Sequence, residues 1–353
     1  MPHLFDPLTI RSVTLKNRIG VSPMCQYSST DGLPNDWHLV HYGTLAVGGS
    51  GLVIVEATGV EARGRISPFC LGIWSDEHVE PFARIAGLIA ARGAVPGLQL
   101  AHAGRKAGTG RLWEHDAPLP EAWEPVGASP LPYGPGYRVP HELTVEEIAE
   151  IRSAWVAAAG RALTAGYRWL ELHSAHGYLL HSFLSPLSNH RNDRYGGSFE
   201  NRIRLTVETA RAVRGVWPEE LPLAVRVSAT DWVEGGWDVE QTVELARVLK
   251  GEEVDLVDCS SAGVVPDVRL PTAPGYQVPF AEAVRRDAEI ATAAVGLISD
   301  PVSADEIVRT GRADLVLLGR ELLRNPYWPL HAARALGQDA EPPGQYARGW
   351  AAA

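Results

Sequence analysis

The segment Glu171-Leu-His-Ser-Ala-His-Gly-Tyr178 holds the densest set of side chains able to do chemistry. His173 and His176 are close enough in sequence to leave one element together, and the phenol of Tyr178 follows them. Neutral imidazoles can donate hydrogen bonds to an oxygen that gains negative charge, and a phenol can deliver a proton. Zinc would use histidines too, but no third ligand stands at a suitable spacing. Histidines satisfied inside a loop are the bland alternative. Arg226 lies within the apolar run Leu223-Ala-Val-Arg-Val227, where a guanidinium is costly unless it meets an anion or several acceptors. An electron-rich ring or a structural ion pair would serve equally. Leu317-Leu-Gly-Arg320 joins a glycine turn to a cation ahead of a helical stretch, where many barrels hold phosphate.

These residues need elements to position them. Short Val-, Leu- and Ile-rich runs recur at residues 19–24, 52–57, 97–101, 169–173, 223–228, 254–258, 292–295 and 315–318. They lack strict polar alternation, as parallel strands buried on both faces do. Helical patterns lie between them at 78–92, 145–165, 200–216, 239–249 and 303–309, and Thr144 with Glu147 reads as a capping box. Eight such repeats predict an α/β fold of the (β/α)₈ TIM-barrel type, usually about 250 residues before insertions. The surplus falls in a Pro/Gly/aromatic-rich excursion at about 102–142 and an extension at about 335–353, on one domain spanning 1–353. A doubly wound sheet is the rival, but no G-x-G-x-x-G follows a candidate strand.

Polar residues gather where the apolar runs stop: Cys25, Gln26 and Tyr27; Glu56 and Thr58; Gln99 and His102; His173 and His176; Arg226 and Ser228; Arg320. In a barrel these ends meet at one mouth, where active sites lie. The stretch 189–202 mixes both charge signs around Gly196-Gly197 and reads as a structural network and helix cap.

Composition narrows the classes. The 353 residues are 45% hydrophobic and 21% charged, which suits a globular chain. With 32 basic against 42 acidic residues, the net charge of −10 offers no general attraction to nucleic acid or anionic lipid. Cys25, Cys70 and Cys259 are too scattered for a metal site or disulfide framework, and no apolar run is long enough for a membrane span. The opening MPHLFDPLTI carries Asp6 and two prolines where a signal peptide would be apolar, so a cytoplasmic location is expected.

Specific motifs go further than periodicity. Leu4-Phe-Asp-Pro7, Leu15-Lys-Asn-Arg18, Ser22-Pro-Met-Cys-Gln-Tyr27, His173-Ser-Ala-His-Gly-Tyr178, the stretch 189–202 and Gln345-Tyr-Ala-Arg-Gly-Trp350 together closely resemble the old yellow enzyme family. The resemblance is to its short bacterial NADPH dehydrogenase branch, with the thermophilic-like ene-reductases, and covers essentially the whole chain. It implies non-covalent FMN, NADPH as reductant with NADH as an alternative, and activated alkenes such as α,β-unsaturated carbonyl compounds as substrates. By the same resemblance Ser22, Pro23, Met24 and Cys25 line the flavin, Ala57 packs on it and Gln99 bonds its pyrimidine edge. Arg226 sits by N1 and the C2 carbonyl, while Gly319 and Arg320, helped by Gly296, hold the phosphate. Tyr27 contacts substrate, His173 and His176 grip its carbonyl oxygen, and Tyr178 donates the proton. Arg348 matches an arginine that reaches into a neighbouring subunit, implying a homodimer or a homotetramer. Other members have His-Asn in place of the two histidines and Thr in place of Cys25. Rival functions are reduction of nitro compounds or nitrate esters by a related FMN barrel, and a barrel that only binds.

Overall fold

In a computed structural model describing residues 1–114 and 117–350, eight parallel strands close into a barrel. They are β1 (Ile19–Val21), β2 (Leu52–Gly59), β3 (Val95–Ala101), β4 (Trp169–Ser174), β5 (Leu223–Ser228), β6 (Leu256–Ser260), β7 (Ala291–Ala294) and β8 (Leu315–Leu318). Each pairs with its sequence neighbour, and β8 returns to β1 with Leu317 opposite Gly20. The expected (β/α)₈ barrel is therefore the fold. An antiparallel hairpin, Leu8–Ile10 with Val13–Leu15, precedes the barrel.

The helices between strands are α1 (Asp36–Val47), α2 (Val79–Ala90), α3 (Val145–Thr164), α4 (Phe199–Arg214), α5 (Val239–Gly251), α6 (Val278–Ala288) and α7 (Pro301–Arg309), with α8 (Trp328–Leu336) after β8. The capping box at α3 forms as read: Thr144 Oγ1 accepts Glu147 N and the Glu147 carboxylate accepts Thr144 N. Such caps stabilise a helix start by about 1 kcal/mol. The helical patterns read from the sequence do not include α1, α6 or α8. Helix α1 buries His38, Tyr42 and Gly43 beside Leu45 and Ala46, so its inward face is not an apolar stripe.

Strand limits shift where local chemistry intervenes. The run read as 19–24 stops at Val21 because Pro23 has no N–H for the ladder. The run read as 254–258 begins at Leu256, since Val254 N still bonds Leu249 O at the end of α5.

The excursion at 102–142 contains a small parallel pair, Val126–Gly127 with His141–Glu142. Two buried arginines pin it. Arg105 donates to the carbonyls of Leu131, Pro132 and Val264, and Arg191 to those of Ala128 and Leu143. Within 189–202, Arg191 pairs with Asp193 and Asn189 Nδ2 bonds Phe183 O and Tyr195 O at 2.7 Å each. This stretch is a structural network. Among the described residues, no helix is long and apolar enough to cross a membrane.

Candidate active site

Strand β4 and the turn after it set the central groups. His173 is buried, and its Nδ1 accepts the backbone N–H of Ala175 at 3.3 Å, which assigns the ring proton to Nε2. The chain then turns sharply through His176 (φ 59°) and Gly177 (φ 74°). Only glycine fits here, because a Cβ on Gly177 would lie 2.0 Å from Gly263 O. The turn is held from three sides. Gly177 N donates to His181 Nδ1 at 2.8 Å, and His181 Nε2 lies 3.0 Å from the buried Asp231 carboxylate. His176 N donates to Ser228 Oγ, and Lys106 Nζ to His176 O at 2.9 Å.

The result is a compact cluster. The His173 ring centroid is 5.1 Å from that of His176 and 5.1 Å from that of Tyr178. Lys106 Nζ sits 4.2 Å from the Tyr133 ring and 5.1 Å from the Tyr178 ring. Burial first, and the Arg226 charge second, push both imidazoles well below the usual histidine range, so both are neutral. Burial raises the Tyr178 phenol well above its ordinary value, keeping its proton available.

Beneath this cluster a polar belt crosses β3 to β6. Gln99 Nε2 donates to Glu171 Oε1 at 2.8 Å. Arg226, opposite His173 on β4, lies 2.9 Å from Asp258 on β6. That contact is an ion pair rather than a directed hydrogen bond. Arg226 Nε, both Asp258 oxygens and Glu171 Oε2 are buried without a hydrogen bond to any described residue. Burial pushes Glu171 up to about 8 and Asp258 up to about 6, opposed by Arg226. The structural ion pair that the sequence left open for Arg226 is thus present, and a polar ligand edge has groups to meet.

The loop after β1 forms a second wall. Ser22 N bonds Leu318 O at 3.0 Å, and Pro23, Met24 and Cys25 follow. A β-bulge between Val55 and Thr58 separates the duties of two neighbours on β2. Ala57 joins an apolar cluster with Tyr27, Cys25 and Tyr178, whereas Glu56 binds the loop, accepting Gln26 N at 2.7 Å and Tyr42 Oη at 3.0 Å. Tyr27 is buried in a left-handed conformation (φ 49°), its carbonyl held by Arg111 and its ring meeting Trp113 edge-on.

A cavity of about 400 Å³ opens beside these walls, lined by His176, Ser260, Gln277, Gly296, Gly319 and Arg320. Met24 reaches it, for a Cβ on Gly319 would stand 3.6 Å from Met24 Sδ. A phosphate fits the glycines and Arg320. An electron-rich ring edge fits Gln99 and Arg226. The residues present therefore suit FMN.

Of the site residues read from the sequence, His176, Gly296, Gly319 and Arg320 line the cavity, His173 and Tyr178 stand against one another beside His176, and Tyr27, Cys25 and Ala57 share a cluster with Tyr178, whereas Arg348 is exposed on the short helix Ala347–Trp350. His102, placed at the mouth by its position in the chain, instead accepts Gly104 N and bonds Glu61, a structural role. The sequence reading missed Lys106, Ser260, Gln277 and Asp258. A charge inside the apolar run Leu256-Val-Asp258 was the available signal for the last.

The family described as NADH:flavin oxidoreductase / NADH oxidase matches residues 3–339. An NADPH dehydrogenase of Geobacillus sp. (strain WCH70) is 52% identical over 349 residues, covering 98% of each chain. One of Bacillus subtilis (strain 168) is 47% identical over 350 residues, covering 98% of this chain and 99% of its own. Among solved structures, morphinone reductase superposes with a TM-score of 0.80 at 27% identity, over 98% of this chain and 92% of its own.

Proposed function

Because this chain belongs to the NADH:flavin oxidoreductase / NADH oxidase family, that of the old yellow enzymes, we propose that it reduces the activated C=C bond of α,β-unsaturated carbonyl compounds. It is an FMN oxidoreductase that uses NADPH. FMN, when bound, would supply the hydride chemistry between NADPH and the substrate's β-carbon.

The chain's residues do the rest. Gly296, Gly319 and Arg320 hold the phosphate; Ser22, Pro23, Met24, Cys25 and Ala57 line the ring; Gln99 and Arg226 meet its polar edge. His173 and His176 donate to the substrate carbonyl, stabilising the enolate-like oxygen as charge develops. Tyr178 gives the α-carbon its proton, and Tyr27 flanks the substrate. Arg348 completes the mouth of a neighbouring subunit in a homodimer or homotetramer. NADH is an alternative reductant.

One observation carries this reading: the His173 Nδ1 contact to Ala175 leaves Nε2–H as a donor in a cluster that also holds a neutral His176 and a protonated Tyr178. The test is the anaerobic visible spectrum of the purified protein, first with NADPH and then with 2-cyclohexen-1-one. Bleaching by NADPH and recovery on adding the enone is the expected result. Bleaching without recovery would overturn the alkene assignment and direct the search to nitrate esters and quinones.

A further inference from the structure

The peptide between His176 and Gly177 links a substrate-gripping histidine to the proton donor Tyr178, and it is held at both ends. Lys106 Nζ donates to His176 O at 2.9 Å, and Gly177 N donates to His181 Nδ1 at 2.8 Å. A cation thus meets the negative end of the peptide dipole, and an imidazole nitrogen meets the positive end. His176 is left-handed here (φ 59°), a conformation a histidine keeps only where its surroundings enforce it. Behind the imidazole stands Asp231, in the loop after β5. His181 Nε2 lies 3.0 Å from Asp231 Oδ1, and both side chains are buried. Neither of these two atoms has a further hydrogen-bond partner among the described residues. The other carboxylate oxygen, Oδ2, accepts Ser185 Oγ at 2.6 Å and Trp237 N at 2.7 Å.

We propose that Asp231 is a positioning residue for alkene reduction, fixing the His181 proton on Nε2 so that Nδ1 accepts Gly177 N and holds the turn that places His176 and Tyr178 around His173. The proposal rests on the roles given to His176 and Tyr178 above. An imidazole has two neutral tautomers, and only one of them can accept from Gly177 N. Beside Oδ1 that tautomer is favoured, because in the other a bare Nε2 lone pair would face a carboxylate. Burial would raise the Asp231 carboxyl, yet the neighbouring His181, Ser185 and Trp237 N outweigh it and hold the group below its ordinary range, so it stays ionised.

Asp231→Asn changes the tautomer with almost no change of shape. Trp237 N cannot turn away, so the amide oxygen stays on it and the amide nitrogen comes to face His181 Nε2. A donor there draws the His181 proton to Nδ1, against the Gly177 N–H, and the turn loses its anchor.

The experiment compares the FMN-loaded native chain with Asp231→Asn and Ser185→Ala. Ser185→Ala removes a hydrogen bond from the same carboxylate but leaves the tautomer alone. Long-range proton–nitrogen NMR spectra of histidine-labelled protein report which ring nitrogen is protonated, and His181→Asn identifies the His181 signals by their loss. His181 is expected to carry its proton on Nε2 in the native chain and on Nδ1 in Asp231→Asn. Stopped-flow reoxidation of the reduced enzyme by 2-cyclohexen-1-one is expected to slow about 10- to 100-fold in Asp231→Asn, the scale of a misplaced catalytic group, and to stay near the native rate in Ser185→Ala. A native His181 protonated on Nδ1, an unchanged tautomer in Asp231→Asn, or equal rates in Asp231→Asn and Ser185→Ala would overturn the proposal. The spectra need no turnover, so a native chain that fails to reduce the enone would remove the alkene reading while the His181 assignment still stands or falls on its tautomer.

Discussion

Arg226 on β5 and Asp258 on β6 face each other as buried ions, Nε to Oδ2 at 2.9 Å, on the strand next to His173. Taking two charges out of water is costly, and each makes the other tolerable. Removing one partner leaves the other uncompensated. Asp258→Asn is expected to lower unfolding stability by about 3 kcal/mol, read from the urea midpoint. An unchanged midpoint would mean that Glu171 carries the counter-charge instead.

The histidine pair and the phenol should separate by half-reaction. Replacing His173 and His176 by alanine is expected to weaken phenol-type ligand binding and slow alkene reduction while FMN stays bound. Tyr178→Phe should slow alkene reduction about 100-fold or more, the usual scale of a lost general acid, with NADPH oxidation by the flavin unaffected. Stopped-flow traces of each half-reaction check both. Normal phenol binding in the double alanine variant would sink the carbonyl assignment.

Glu56 is a positioning residue for the Cys25–Tyr27 turn, since its carboxylate takes Gln26 N at 2.7 Å. Burial pushes its carboxyl up to about 8. Glu56→Ala leaves a partly buried N–H unpaired, at a cost of about 1–3 kcal/mol. FMN affinity, followed by quenching of flavin fluorescence, should weaken in Glu56→Ala and recover partly in Glu56→Gln, whose amide oxygen can still accept. Equal affinity in all three proteins would remove the turn from cofactor binding.

Burial pushes His41 on α1 down to about 4, so the folded chain refuses a proton that the unfolded chain accepts below about 6.5. The unfolded state then binds more protons, and stability falls as pH drops from about 6.5 towards 4. Glu56, Glu171 and Asp258 are raised and act in the opposite sense, so the native slope is a sum. His41→Gln isolates one contribution. Between pH 7 and 5 its stability should fall on the order of 1–2 kcal/mol less than that of the native chain. Parallel pH profiles in urea would contradict the buried, neutral histidine.

Much of the site was legible because barrel strands are local. Each apolar run ends on the same rim, so position in the chain implied position in space for His173, Arg226 and Arg320. The limits of the runs were less legible, as Pro23 and the end of α5 show. Lys106 was hidden because its role lies in reaching carbonyls of His176 and Gly263, which no spacing records. Helix α1 was hidden because it buries polar His38 and Tyr42 against Glu56, which alters the apolar pattern.

By itself, the sequence determined the period of eight strands and the cap of α3, together with the chemical types gathered at the strand ends. Those follow from neighbours within a few residues. Only the tertiary structure decided that Arg226 faces Asp258 and which nitrogen of His173 holds its proton. Each depends on groups far apart in the chain or on the detailed turn of the backbone. Burial then alters their proton affinities, and burial is a property of the closed barrel rather than of any one segment.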